Sequence, residues 1–251
     1  MPYKLPLKNG TFRKGIIIQI GDNYGDIAPL PGFSTETLET LTHDSPSVKF
    51  ALECVKHPIV PLSVPINALN VHRTGFKALK LKVGQLSVNN TVSWIKTTPK
   101  NIELRLDFNR QWPLSKLLEF SKHFAPTDFA YLEEPTKDFS DLMAFSRQTG
   151  FPIAMDESIP YVPYWEIPTL KALVVKPTIL GYVPEPPPGV ELIFSSAFES
   201  GVGIAHIARL AMQYNPNRPH GLDPYSHLVQ DIINPRHTIS NGCLNISTLS
   251  V

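Results

Sequence analysis

Five charged residues recur at nearly even steps along the chain, and each follows a short apolar run. They are Lys82, Asp107, Glu133, Asp156 and Lys176, separated by 25, 26, 23 and 20 residues. Such an interval accommodates one strand, one helix and two turns, the repeat of a parallel α/β fold. Because the carboxyl ends of parallel strands lie at one end of a sheet or barrel, we expect all five residues there. Two lysines across three carboxylates would form a metal-assisted acid/base site, so the pattern predicts an enzyme.

The composition is that of an ordinary globular protein. The 251 residues are 42% hydrophobic and 18% charged, and the formal net charge is +1. This near-neutral charge gives no reason to expect a nucleic-acid partner. No stretch reaches the roughly 18 apolar residues of a membrane span, and the first residues, MPYKLPLKNG, contain no signal-peptide core. The sequence therefore predicts a cytoplasmic protein, and it leaves the oligomeric state open.

The first part of the chain, to about residue 60, has predicted strands followed by predicted helices, unlike the rest of the chain. A strand is predicted over residues 11–19, with a turn at Gly21 and a second strand after it, as in a hairpin. Ser34 is a candidate cap for a helix over TETLETL, and Pro46 suits the first turn of another helix. We therefore predict one domain over residues 1–60 and a second over residues 61–251, whose C-terminal segment could pack back on the first.

From about residue 76 strands and helices alternate regularly. Ser87, Pro113 and Ser140 are candidate helix starts, and Gly150 is a candidate helix end. Between Lys176 and the next strand the chain is short and contains PEPPPG. Because proline disrupts helices, we expect this strand–helix unit to lack its helix.

Strand alternation predicts which of these side chains point inward. In ALKLKV, Lys80 and Lys82 share one face, and in LRLDFN the shared face carries Arg105, Asp107 and Asn109. If the apolar faces meet the helices, the charged faces point into the barrel, where a charge is costly unless it is paired or bound to metal. The alternative for any one strand is an edge position with a solvated polar face.

Three carboxylates on three successive strands suit a hard divalent cation such as Mg²⁺, which prefers oxygen ligands. The candidates are Asp107, Glu133 and Asp156. In the doublet Glu133-Glu134 only one side chain can point inward, and we choose Glu133 because a proline follows the doublet. Glu157 could support Asp156, or it could equally lie at the surface.

A lysine is a useful general base when its pKa falls towards neutrality, which burial and a nearby cation both promote. Lys80, Lys82 and Lys176, with a metal close by, would supply that setting. For Lys176 the alternative is a surface lysine at a strand end. GVGIAH, which follows SSAFES, could open a helix that holds an anion; the alternative is a bare tight turn.

Six segments follow one another along the predicted strands: KLKVG, LRLDFNRQW, YLEEP, AMDES, VVKPTILG and SSAFESGVGIAHIARLA. In this order they resemble the successive barrel motifs of the o-succinylbenzoate synthase family, in the enolase superfamily and its muconate-lactonizing-enzyme-like subgroup. The N-terminal YGDIAPLPGFSTETLE is similar to the loop of that family's capping domain, and the chain resembles a shortened member.

The resemblance implies a fold and a set of roles. The implied fold is α/β, a modified (β/α)7β TIM-like barrel with a reduced N-terminal α+β capping domain. Asp107, Glu133 and Asp156 would hold Mg²⁺, with Mn²⁺ a possible substitute. Lys82 would be the general base, and Lys176 would stabilise the intermediate from the opposite face of the substrate. The other implied substrate-binding residues are Lys80, Arg105, Asn109, Gly32, Phe33, Ser195 and Ser196.

The implied reaction is a dehydration in menaquinone biosynthesis, catalysed by a hydro-lyase. A small-molecule carboxylate, 2-succinyl-6-hydroxy-2,4-cyclohexadiene-1-carboxylate, would be converted to 2-succinylbenzoate through abstraction of the α-proton and a metal-stabilised enediolate. Two alternatives stay open. One is an N-acylamino acid racemase or dipeptide epimerase of the same superfamily, in which Lys82 and Lys176 are two bases. The other is a catalytically silent barrel kept for binding.

Overall fold

The computed structural model describes residues 1–248, and the strands in this part of the chain form three sheets. The strands are β1 (Pro2–Pro6), β2 (Phe12–Ile20), β3 (Asn23–Ile27), β4 (Leu62–Pro65), β5 (Ala68–Leu69), β6 (Ala78–Lys82), β7 (Glu103–Asp107), β8 (Tyr131–Glu133), β9 (Ile153–Met155), β10 (Leu170–Val175), β11 (Glu191–Phe194), β12 (Thr238–Ser240) and β13 (Cys243–Ile246).

Most of the helices follow strands of the largest sheet. Short 3₁₀ helices span Pro126–Asp128, Tyr164–Glu166 and Asp223–His227. In the described residues, no helix is both long and apolar enough to cross a membrane. The α-helices are α1 (Pro46–Cys54), α2 (Val88–Lys96), α3 (Leu114–Ser121), α4 (Phe139–Thr149), α5 (Pro177–Leu180) and α6 (Gly201–Tyr214).

The largest sheet has seven strands in the order β11-β10-β9-β8-β7-β6-β5, so every strand neighbours the next one in the chain. The pairings from β5 to β10 are parallel. Short parallel strands joined by helices form the barrel-type α/β arrangement that the repeat predicted. The N-terminal part adds a separate antiparallel sheet, β1-β2-β3, so the predicted hairpin is confirmed.

The chain divides into two compact units that do not follow chain order. The second unit contains Asn67–Val174 and Pro186–Leu192, and therefore most of the large sheet. The first contains Met1–Ile66, Val175–Glu185 and the described part of Ile193–Val251. The division into domains 1–60 and 61–251 stays a prediction.

Several helix ends follow the local signals. The Ser87 side chain accepts a hydrogen bond from the Asn90 N–H at 3.2 Å at the start of α2, and Gly150 ends α4 with a φ of 72°. Both predictions are confirmed. Ser140, however, does not cap α4, because the helix begins one residue before it and Asp138 is the N-cap. The Asp138 carboxylate accepts from the Ser140 and Asp141 N–H groups.

The predicted helix over TETLETL is wrong, since residues 35–41 form turns and irregular backbone. Local side-chain hydrogen bonds replace the helix. The Thr37 N–H donates to Thr40 Oγ1 at 2.9 Å, and Glu36 Oε1 accepts from the Ser47 N–H at 2.9 Å. Threonine and serine side chains commonly offer the backbone such alternatives to a helix.

The expected loss of a helix after β10 is confirmed. Helix α5 has only four residues and ends at Gly181, whose φ is 75°. No further helix forms before β11, and the segment PEPPPG at residues 184–189 is irregular. On either side of this segment, Lys176 lies between β10 and α5, and Ser195 directly follows β11.

Candidate functional site

Four neighbouring strands of the second unit carry charged residues to one end of the sheet. Lys82 ends β6, Asp107 ends β7 and Glu133 ends β8, and the register pairs Lys82 with Asp107 and Asp107 with Glu133. Asp156 directly follows β9. Parallel pairing without a register slip keeps the side chains of paired residues on one face.

Lys80 binds two of the three carboxylates. Its Nζ lies 2.6 Å from Glu133 Oε1 and 2.9 Å from Asp107 Oδ2, and all three side chains are buried. Burial alone would lower the pKa of Lys80. The negative charges of Asp107, Glu133 and Asp156 outweigh it and hold that pKa well above its usual value. The expected fall of the Lys80 pKa depends on a bound cation nearby and stays a prediction.

Lys82 lies nearer the surface than Lys80. Its Nζ is 3.8 Å from Asp107 Oδ2, and half of its side chain is exposed. The Lys82 N–H donates to the Asn70 side-chain oxygen at 2.9 Å, and Asn70 has a left-handed backbone with a φ of 59°. Lys82 therefore presents its amino group to solvent beside the carboxylates. Nothing in the sequence pattern indicated Asn70.

The two glutamates of the doublet point to different partners. Glu133 contacts Lys80, whereas Glu134 has a φ of 43° and accepts from the Asp156 N–H at 2.8 Å and the Ser158 N–H at 2.9 Å. Burial raises the pKa of Glu134, and these hydrogen bonds oppose that rise. Glu134 thus fixes the backbone that carries Asp156, a role that sequence reasoning did not assign to it.

Arg105 lies one step deeper in the sheet, paired in register with Lys80. It is fully buried, and its Nε and Nη2 donate to Glu103 Oε1 at 2.9 and 2.6 Å. Its guanidinium also lies 5.1 Å from the centre of the Tyr131 ring. Arg105 is therefore held in an ion pair with the partly exposed Glu103, and its role as a substrate-binding residue stays a prediction.

Asn109 lies in the tight turn that follows β7. Its φ is 47°, and its N–H donates to Asp107 Oδ1 at 3.0 Å. Asn109 thereby orients the carboxylate of Asp107 through its backbone. A contact between its side chain and a substrate stays a prediction.

The other predicted site residues belong to the first unit. Lys176 precedes α5 and is partly buried. Ser195 and Ser196 follow β11 and are both buried, with the Ser195 hydroxyl 3.3 Å from the Gly221 carbonyl and the Ser196 hydroxyl 2.8 Å from Glu199. In the loop after β3, Gly32 has a φ of 81° and Phe33 is 46% exposed.

The expectation that the GVGIAH helix start holds an anion is not supported, because protein carboxylates already bind there. Asp26 accepts from the Ser200 N–H at 3.0 Å and from its hydroxyl at 2.8 Å. Asp231 accepts from the Gly201 N–H at 3.0 Å. These carboxylates cap α6 and use the N–H groups that an anion would need.

The donor set around Lys80 fits a hard cation in its chemistry. Three carboxylates and one ammonium leave a net charge of about −2, and oxygen donors suit Mg²⁺. Among residues 1–248, however, no group of three or more His, Cys, Asp and Glu side chains is arranged to hold a metal ion. The Lys80 Nζ instead forms ion pairs with two of the three carboxylates, those of Asp107 and Glu133. Asp107, Glu133 and Asp156 stay predicted ligands.

Comparison with known proteins identifies similar sequences over most of the chain. A family model described as "Enolase C-terminal domain-like" matches residues 66–165. The o-succinylbenzoate synthase of Pasteurella multocida is 30% identical over 290 aligned positions, which cover 89% of this chain and 85% of that protein. The protein of the same name from Vibrio cholerae is 31% identical, covering 88% of this chain and 87% of the relative.

Solved structures agree on the fold. The o-succinylbenzoate synthase from Thermosynechococcus elongatus, solved with Mg in its active site, has a TM-score of 0.71 and 21% identity, covering 92% of this chain and 93% of that one. A dipeptide epimerase from Enterococcus faecalis has a TM-score of 0.81 and 17% identity, covering 100% of this chain and 98% of that one. The modified TIM-like barrel with a small N-terminal domain is thereby confirmed.

Proposed function

Because this chain belongs to the o-succinylbenzoate synthase family of the enolase superfamily, we propose that it dehydrates 2-succinyl-6-hydroxy-2,4-cyclohexadiene-1-carboxylate to 2-succinylbenzoate. It would act as a hydro-lyase of menaquinone biosynthesis, with a small-molecule carboxylate as its partner and the cytoplasm as its compartment. The observation that carries the proposal is the group of Lys82, Asp107, Glu133 and Asp156 at one end of the barrel sheet.

The proposed cofactor is Mg²⁺, with Mn²⁺ a possible substitute, held by Asp107, Glu133 and Asp156. The oxygen-only donor set and its net negative charge support this assignment. When bound, the ion would supply positive charge beside the substrate carboxylate and favour loss of the neighbouring proton. Asn109 and Glu134 would keep Asp107 and Asp156 oriented through the hydrogen bonds described above.

Lys82 is the proposed general base. Its half-exposed amino group can reach a substrate, whereas the Lys80 Nζ is engaged by two carboxylates. Neutral Lys82 would remove the proton on the carbon next to the substrate carboxylate. The resulting ammonium would then deliver this proton to the departing hydroxyl, so that water leaves and the ring becomes aromatic. Lys80 would stay charged, close to the substrate carboxylate.

The remaining predicted residues have supporting roles in this proposal. Lys176 would stabilise the negative charge of the intermediate and contact the forming aromatic ring as a cation. Ser195 and Ser196 would face the succinyl carboxylate. Gly32 and Phe33 would close over the substrate, since Phe33 is an exposed aromatic in a loop. Arg105 would support the metal-binding end of the sheet through its ion pair with Glu103.

The decisive experiment is a direct dehydration assay with the cyclohexadiene substrate, followed by the absorbance of the aromatic product. We expect turnover with Mg²⁺, loss of turnover with a chelator, and recovery when Mg²⁺ is restored. Lys82→Ala should lower kcat by about 10³-fold or more. Lys96→Ala, which removes an exposed lysine from α2, is the matched control and should leave kcat unchanged. Near-normal turnover by Lys82→Ala would refute the assignment of the base.

The same preparation separates the alternatives. A racemase or epimerase would exchange the α-proton of an N-succinylamino acid or a dipeptide in D₂O and invert its configuration. A silent barrel would bind no Mg²⁺, or would bind it equally well after Asp156→Asn. Either result, together with no product from the cyclohexadiene substrate, would refute the proposed dehydratase function.

A further inference from the structure

One buried carboxylate joins the segment after β10 to the segment after β11. Glu199 is fully buried, and its Oε1 accepts from the Thr178 hydroxyl at 2.7 Å. Its Oε2 accepts from the Ser196 hydroxyl at 2.8 Å and from the Ala197 N–H at 2.8 Å. The two oxygens of one side chain therefore hold two separate segments of the first unit at a fixed distance.

The first of these segments carries Lys176. Thr178 lies in α5, whose first residue follows Lys176 directly, and Thr178 is itself fully buried. The Lys176 carbonyl accepts from the Ile179 N–H at 2.9 Å and from the Leu180 N–H at 3.0 Å. Because this single turn is closed on the Lys176 carbonyl, a displacement of Thr178 also moves the backbone of Lys176.

The second segment is the loop with Ser195 and Ser196, and its conformation is unusual. Phe198 has a left-handed backbone with a φ of 64°, a conformation that bulky residues rarely adopt. Its N–H donates to the Ser196 hydroxyl oxygen at 2.9 Å. The Ser196 hydroxyl in turn donates to Glu199, so the glutamate supports the strained turn from two sides.

This arrangement separates the roles of the two serines. A serine hydroxyl has one hydrogen to donate, and that of Ser196 goes to Glu199. Ser196 would therefore face the succinyl carboxylate without donating its hydroxyl hydrogen to it. Ser195 contacts the Gly221 carbonyl only at 3.3 Å, close to the limit for a hydrogen bond, so its hydroxyl can turn towards a carboxylate.

The burial of Glu199 depends on its hydrogen bonds. The three donors described above are neutral, and a buried carboxylate needs such partners. Two hydroxyls and one N–H satisfy it only while both segments stay in place. A group of this kind fixes geometry more than it adds stability.

We propose that Glu199 is a positioning residue that couples the α5 segment carrying Lys176 to the loop carrying Ser195 and Ser196. It would set the distance between the cation that stabilises the intermediate and the hydroxyl that binds the succinyl carboxylate. The catalytic part of this inference rests on the proposed function, whereas the coupling between the two segments does not.

The test compares variants of the full chain at Thr178 with a matched control at another buried threonine. Thr178→Val removes the hydroxyl that Glu199 binds, with little change in volume, and Thr178→Ser restores a hydroxyl. Thr91→Val removes another fully buried threonine hydroxyl, which donates to the Ser87 carbonyl at the start of α2, and serves as the matched control.

Hydrogen–deuterium exchange measures the coupling directly. We expect Thr178→Val to accelerate exchange at the Ala197 and Phe198 amides as well as in α5, and Thr178→Ser to return both segments towards wild-type rates. Thr91→Val should leave both segments unchanged. If Thr178→Val affects α5 alone, the coupling is refuted, whether or not the protein dehydrates the cyclohexadiene substrate.

Kinetics measures the consequence for catalysis. Misplacement of Lys176 should lower kcat about ten- to hundredfold in Thr178→Val with little change in KM, and Thr178→Ser should recover most of it. In a Lys176→Arg background the same substitution should cost much less, because the residue that it positions is already displaced. Equal losses in both backgrounds would refute action through Lys176. No activity in the wild type would refute the proposed function instead, and hydrogen exchange would still decide the coupling.

Discussion

The buried carboxylate of Asp26 is one of two groups that should set how the stability of this protein depends on pH between about 4 and 6.5. Asp26 is 1% exposed and accepts hydrogen bonds from the Tyr3 hydroxyl at 2.9 Å and from the Ser200 N–H and hydroxyl. Burial raises its pKa from 3.8 to about 6, and the charge of Glu199 adds to the rise. The hydrogen bonds from Ser200 and Tyr3 and the charge of Arg13 oppose it.

The sign of the effect follows from where the proton is held more tightly. Between pH 4 and pH 6 the folded protein keeps Asp26 protonated, while the unfolded chain has already released that proton. Stability therefore falls as pH rises through this window and is constant above it. The difference between 3.8 and about 6 corresponds to about 3 kcal/mol in the free energy of unfolding.

His206 opposes this gradient over nearly the same range. It is fully buried, its Nε2 lies 2.8 Å from the Tyr24 carbonyl, and burial lowers its pKa from 6.5 to about 4. The unfolded chain binds the proton more tightly here, so stability rises between pH 4 and 6.5, by about 3 kcal/mol. We therefore expect a nearly flat profile from these two groups together in the wild type.

Asp26→Asn should leave the stability rising with pH, as His206 alone predicts, because the amide resembles the neutral carboxyl and does not titrate. The free energy of unfolding should be measured with urea at pH values from 4 to 7.5. We expect wild type and Asp26→Asn to be equally stable at pH 4, and the variant to be up to about 3 kcal/mol more stable at pH 7. Asp22→Asn, in the exposed β2–β3 turn, controls for the loss of one negative charge. Parallel profiles for wild type and Asp26→Asn would refute the reasoning.

Two further substitutions test the packing around the site and in the N-terminal unit. Lys80→Met should destabilise the protein by about 3–5 kcal/mol in urea unfolding without added metal, since it removes the cation that binds the buried carboxylates of Asp107 and Glu133. Added Mg²⁺ should recover part of the loss, and an unchanged midpoint would contradict the buried ion pair. Gly25→Ala places a Cβ too close to the Ala51 carbonyl oxygen, so α1 must shift, at a cost of about 1–3 kcal/mol. A thermal unfolding midpoint equal to that of the wild type would contradict that contact.

The fold could be predicted from the sequence because the regular elements obey local rules. Ser87 and Gly150 mark the ends of helices with residue types that suit a cap and a left-handed turn, and the structure uses both. TETLETL fails for the opposite reason. It has helical spacing, but Thr37 and Thr40 hydrogen bond locally and Glu36 binds the backbone of Ser47. That last contact spans 11 residues, and no local pattern indicates it.

Strand geometry predicts which side chains of the candidate site share a face, but not the contacts that they make with distant parts of the chain. Parity and the following proline select Glu133 over Glu134 for the inward position, and Glu133 indeed contacts Lys80. The same argument does not say what the other glutamate does. Glu134 accepts a hydrogen bond from the Asp156 N–H, 22 residues later in the chain. Glu199 was missed for a similar reason, because its partner Thr178 lies 21 residues earlier in the chain.

The contrast between Lys80 and Lys82 shows why depth along a strand matters as much as the face. The two lysines share one face of β6, and the register sets Lys80 opposite Arg105 and Lys82 opposite Asp107. Two residues of a strand span about 7 Å, enough to move an amino group from the buried carboxylates to the half-exposed end of the sheet. The inner lysine is ion-paired to two buried carboxylates, and the outer one is half exposed to solvent. Exchanging these roles would require the strand to shift by two residues, because a one-residue shift would turn both lysines towards the helices.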